Sequence, residues 1–157
     1  MSEKVPELNK VIKLPIDSLR SFEVIGQQFA DLGVIFSNTV VLHPSNSAYL
    51  PKTGKMVLMG APQNGWMEID FTVPIGYFAC YLTSSQHVTL YAYDGEGEVL
   101  SFFETEKQDY QDCEHSEILM GGPPPNTFLE IQALNIQKIT LNSLDGQLVI
   151  HNVKFGF

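Results

Sequence analysis

Trp66-Met67-Glu68-Ile69-Asp70-Phe71-Thr72-Val73 alternates apolar and polar residues, and Tyr77-Phe78-Ala79-Cys80-Tyr81-Leu82-Thr83-Ser84 and His87-Val88-Thr89-Leu90-Tyr91-Ala92-Tyr93 follow it at strand length. Alternation with period two is the signature of a strand with one face buried. The third segment runs into Asp94-Gly95-Glu96-Gly97 and then into Glu98–Glu104. Asp-Gly tolerates the positive φ of a tight hairpin, so these two segments are expected to pair antiparallel. Val88, Leu90 and Ala92 then share one face, and Thr89, Tyr91 and Tyr93 the other.

Working outward, the same pattern predicts strands at Lys10–Leu14, Gly33–Leu42, Lys55–Met59, Thr127–Ala133, Lys138–Ser143 and Leu148–Phe157, with Leu144-Asp145-Gly146-Gln147 as a second hairpin turn. Many short strands at this spacing mean an all-β fold, a sandwich or a barrel. Ile16, Leu19, Phe22, Ile25, Phe29 and Leu32 recur at helical spacing. Val24, Ile25 and Gly26 oppose a long helix, so a short one near Gln27–Leu32 is the expectation. Gly121-Gly122-Pro123-Pro124-Pro125-Asn126 is a loop, because three prolines remove N–H donors and fix φ. Residues 1–9 read as an N-terminal extension and 10–157 as one domain.

The chain has 157 residues, enough to bury a core without disulfides or metal. Eighteen acidic against nine basic residues give a net charge of −9. Nucleic acid and anionic membrane are thereby excluded as expected partners. Neither a basic region followed by an apolar run near Met1 nor an apolar run of membrane-spanning length occurs, so the chain as it begins reads as cytoplasmic, or as secreted if a leader has been removed. Cys80 lies within an apolar strand and reads as a buried small hydrophobe, and Cys113 as an exposed thiol.

Three stretches carry a resemblance: Gln28-Phe29-Ala30-Asp31-Leu32-Gly33-Val34-Ile35-Phe36-Ser37, Val88-Thr89-Leu90-Tyr91-Ala92-Tyr93-Asp94-Gly95, and Gly146-Gln147-Leu148-Val149-Ile150-His151-Asn152-Val153-Lys154-Phe155. They resemble the galactose-binding-like jelly-roll domains of bacterial PEP-CTERM-type proteins. The resemblance implies a two-sheet antiparallel jelly-roll β-sandwich of roughly eight to ten strands. It also implies carbohydrate binding through loops at one end, and a structural calcium ion where the terminal strands meet. His151 stands where that pattern has an acidic residue.

Sugar recognition needs a flat ring to stack on a pyranose face and polar groups for its hydroxyls. Trp66, the one tryptophan, follows the polar turn Gln63-Asn64-Gly65, so Trp66, Gln63 and Asn64 are candidate ligand contacts. By alternation with Glu68 and Asp70, Trp66 belongs on the outer sheet face or at its edge. Tyr49 and Tyr110 are further candidates on loops. The acidic stretch around Asp109, Asp112 and Glu114 is the candidate for a divalent cation, calcium preferring carboxylate oxygen. Asp112-Cys113-Glu114-His115 offers zinc-ligand types, but adjacent residues alone close no site.

Enzyme motifs are absent: no Gly-x-Ser-x-Gly, no His-Glu-x-x-His, no phosphate loop and no His-x-His. The expectation is a non-enzymatic binding module for a glycan or a protein partner. The alternative is a self-assembly domain, since Val149, Ile150, Val153, Phe155 and Phe157 exceed the needs of one inward strand face.

Overall fold

The computed structural model describes residues 11–60, 66–105, 124–143 and 147–157. Ten strands occur among them: β1 (Val11–Lys13), β2 (Val24–Ile25), β3 (Val34–Ser37), β4 (Thr39–Leu42), β5 (Val57–Gly60), β6 (Trp66–Ser84), β7 (Thr89–Tyr93), β8 (Val99–Glu104), β9 (Thr127–Asn142) and β10 (Leu148–Gly156). All pairings are antiparallel and the ladders are continuous, in the order β2-β4-β5-β10-β6-β9-β7-β8, with β1 on β10 and β3 on β6.

Two layers arise because β6 and β9 serve both. The first half of β6 pairs with β3 and with Lys138–Asn142 of β9, which also carries β7 and, through it, β8. Its second half pairs with β10 and with Thr127–Gln132 of β9. Between the halves the register breaks at Asp70–Ile75 and Ile75–Tyr77, around Pro74 and Gly76. Proline cannot donate to a ladder and glycine fits a bend, so the strand changes layer there. Strands expected separately at Trp66–Val73 and Tyr77–Ser84 are thus one bent strand, and so are those at Thr127–Ala133 and Lys138–Ser143.

The expected strand Gly33–Leu42 is instead two. Asn38 adopts φ +54°, which asparagine tolerates, and its Nδ2 donates to the Trp66 carbonyl at 2.8 Å. The chain turns there, sending β3 to one layer and β4 to the other. The helical spacing before it yields β2 and two single 3-10 turns, Ile16–Ser18 and Ala30–Leu32, the second ended by Gly33 at φ +84°.

One core fills the space between the layers, built on Phe36, Ile69, Phe71, Phe78, Leu129, Leu141 and Phe155. Phe71 touches Phe78 and Phe155, with centroids 6.5 and 5.4 Å apart. Cys80 is buried with them, and burial pushes its thiol pKa up, making it inert. Val149 lies on the outer side of β10, where Tyr49 and Val57 cover it in a second, smaller core. The strand is therefore buried on both faces, and Val149, Ile150, Val153 and Phe155 are accounted for within the chain, leaving Phe157 as the exposed member of that set.

Residues 50–56 form a strap that leads into β5. Asp17 fastens it, accepting the N–H of Met56 at 2.9 Å and that of Lys55 at 3.2 Å. Asp17→Ala leaves both donors to compete for water and is expected to cost about 1–2 kcal/mol in a urea titration.

Candidate functional site

The outward face of the first layer is assembled by register. One row crosses it as Glu68, Thr140, Tyr91 and Phe102; the next as Asp70, Lys138 and Tyr93; a third as Trp66, Asn142, Thr89 and Glu104. Alternation puts these residues outside because Met67, Ile69, Ile139, Leu141, Leu90 and Ala92 between them are fully buried. From β6 to β8 the face spans three strand spacings, about 14 Å.

Its β7–β8 side is aromatic. Tyr91 lies 6.2 Å from Tyr93 and 6.2 Å from Phe102, ring centre to centre, with the planes inclined by 35° and 31°. Phe102 is 63% exposed and Tyr91 38%. Its β6–β9 side is charged. Lys138 Nζ stands 3.6 Å from Glu68 and 3.9 Å from Asp70. Burial, and then the Glu68 carboxylate, raise the Asp70 pKa, against the pull of Lys138.

Between the two sides lies a cleft of about 550 Å³, lined among others by Glu68, Asp70, Tyr93, Asp94, Lys138 and Thr140. The hairpin after β7 forms its wall. Asp94 Oδ1 accepts the N–H groups of Glu96 and Glu98, both at 2.9 Å, and Gly97 takes φ +84°. That carboxylate is thus spent on the turn, as the hairpin reading of Asp94–Glu98 requires.

Of the candidates from sequence, Trp66 sits half-buried at the end of this face. Tyr49 does not join it: it is 7% exposed, packs on Val57 and Val149, and has its phenol pKa raised by burial. Gln63, Asn64, Tyr110, Asp109, Asp112 and Glu114 lie outside the described residues. Tyr91, Tyr93, Phe102, Glu68, Asp70 and Lys138 were not singled out beforehand. The signal for the aromatic ones was present, since Tyr91 and Tyr93 alternate with buried residues beside a readable hairpin turn.

Among the described residues, the calcium ion implied by the resemblance finds no fitting set where the terminal strands β1 and β10 meet. His151 replaces the acid, Lys13 and Lys52 bring positive charge to it, and Asp17 already accepts N–H groups from the strap. One buried amide oxygen there, Asn152 Oδ1, is without a partner, where calcium takes roughly six to eight oxygens. Among the described residues, no three His, Cys, Asp or Glu side chains are grouped to hold a metal.

Comparison with solved structures gives the K2 cleaved adhesin domain of Lys-gingipain (Kgp), with a TM-score of 0.55 and 10% identity over 94% of this chain and 100% of that one. The fold is a jelly-roll β-sandwich. Weaker likenesses are TmCBM61, solved with β-1,4-galactotriose (TM-score 0.45, 12% identity, 88% and 100% covered), and CBM29_1, a family 29 carbohydrate-binding module from Piromyces equi (0.43, 8%, 78% and 79%). No protein-family model and no curated protein matches the chain. At these identities the likeness establishes the fold, and ligand chemistry must come from the face itself.

Proposed function

We propose that this jelly roll is a non-catalytic carbohydrate-binding module and that the outward face of β6, β9, β7 and β8 is its platform. The observation that carries the proposal is the exposed ring group Tyr91–Tyr93–Phe102 beside a cleft rich in hydrogen-bonding groups. Rings held on paired strands offer flat apolar surface to the C–H face of a sugar. Carboxylate, hydroxyl and ammonium groups of Glu68, Asp70, Thr140 and Lys138 offer acceptors and donors for its hydroxyls. Nine net negative charges favour neutral over acidic glycans. Trp66 extends the platform at its far end, with Asn64 and Gln63 adjoining it in sequence. The PEP-CTERM-type resemblance rests on the three sequence stretches alone.

Calorimetric titration with neutral β-1,4-linked gluco-, manno- and galacto-oligosaccharides tests the proposal. The expected result is sub-millimolar binding to at least one, above about 4 kcal/mol of binding free energy, and weaker binding of the corresponding monosaccharide. A chain that heats with none of them, while taking up a protein ligand on the same face, overturns it.

A further inference from the structure

On one edge of β10 the neighbours are discontinuous. β5 pairs with Val149 and Ile150, and β1 with Lys154 to Gly156, so among the described residues the stretch between them has no ladder partner on that side beyond the Leu14 N–H, which reaches the Val153 carbonyl. The register slips there and Asn152 takes φ +53°. A bulge of this kind re-aims a side chain. Here it turns Val153 and Phe155 into the core and leaves His151, just before it, facing its cross-strand partner Tyr81: His151 is 2% exposed, stacks on Tyr81 at 5.4 Å and 20°, and its Nε2 accepts the backbone N–H of Lys52 at 2.8 Å. Lys52 then lays its Nζ over the other partner of that stack, 4.9 Å from the centre of the Tyr81 ring.

The strap at residues 50–56 is thus fastened at two points, by Asp17 near its end and by His151 at its middle, over a hollow of about 240 Å³ lined by Lys13, Asp17, Gly54, Met56 and Asn152. The two fasteners differ in kind. An imidazole accepts through Nε2 only while that nitrogen carries no proton; protonated, both ring nitrogens donate and Nε2–H points at another N–H. We propose that His151 is an acid-released latch: protonation breaks its bond to Lys52 and frees the strap from the terminal strand, opening the hollow beneath while the sandwich stays folded.

The surroundings set the sense of the switch. Lys13 from β1 and Lys52 from the strap oppose a cation at His151; Asp17, from the turn after β1, favours one; Tyr81 of β6 stacks on the imidazole, and β5 brings Leu58 and Met59 against the adjoining residues. Burial is the largest influence, and with the lysines it lowers the imidazole from 6.5 to about 4 while the strap is closed. An open strap returns the imidazole to water and to its ordinary value. Above pH 6.5 neither form binds the proton and the latch is insensitive to pH; between 6.5 and 4 only the open form binds it, so acid favours opening by up to about two orders of magnitude.

Amide hydrogen exchange at pH 7.5 and pH 4, corrected for intrinsic rates, tests this. Protection of the Lys52 amide is expected to fall at least about tenfold in acid, while Ile69, Leu82 and Leu129 keep theirs. His151→Gln retains an acceptor that cannot gain a proton and should make Lys52 protection independent of pH; His151→Phe should leave the strap open at both. Unchanged protection in the native chain, loss of core protection together with the strap, or the same acid loss in H151Q overturns the proposal. If H151Q does not fold, nitrogen NMR of the native chain decides: the His151 imidazole and the Lys52 amide must titrate together, and independent titration refutes the latch.

Discussion

Phe71→Ala is expected to destabilise the domain by about 3–5 kcal/mol, the range for removing a buried aromatic ring. Its melting temperature should fall by roughly 10 to 15 °C at the sensitivity of a chain of this length. The residue is the last inward-facing one before β6 breaks register, and its ring joins that end of the first layer to Phe78 and Phe155 of the second. Phe78 and Phe155 pack against the ring, so its removal leaves a cavity between the two layers. Phe71→Leu keeps most of the volume and should lose much less. Differential scanning calorimetry of the two variants separates the cavity from the loss of ring contacts; equal, small shifts in both would mean that the layers are not tied through this ring.

The fold was legible where its signals are local. The Asp94–Glu98 turn announced the β7–β8 pair, and alternation through Thr89–Tyr93 assigned its faces. Continuity was not legible, because Pro74 and Gly76 look like punctuation between strands, whereas the ladders on either side hold one strand through the bend. Asn38 shows the converse: a single αL residue divides what reads as an unbroken apolar run.

Long-range partners account for the rest. Tyr49 follows a serine-rich turn and looks like a loop aromatic, but Val57 and Val149 bury it from positions far along the chain. His151 looked like a lost metal ligand, and only the strap shows what its nitrogen holds. Trp66 was placed by alternation alone, since that rule depends on its own strand. The ring group was missed because Tyr91 and Phe102 belong to different strands and meet only through the hairpin register.

The paired substitution Tyr91→Ala, Phe102→Ala should abolish glycan binding while leaving the fold intact. Both rings stand on the outer face, and Phe102 is on the terminal strand of the sheet order, so their removal opens no cavity and the melting temperature should move by no more than about 2 °C. Recognition energy concentrates in a few aromatic anchors, so losing two of them is expected to weaken binding by about 3 kcal/mol, roughly a hundredfold. Trp66→Ala, at the end of the face, should weaken long oligosaccharides more than short ones. Tyr49→Ala provides the contrast: it empties the second core and lowers stability, yet at temperatures where the variant remains folded it should bind as the native chain does. Calorimetric affinities beside melting curves for the three variants therefore separate platform from packing. Native affinity in the paired variant would move the site off this face altogether.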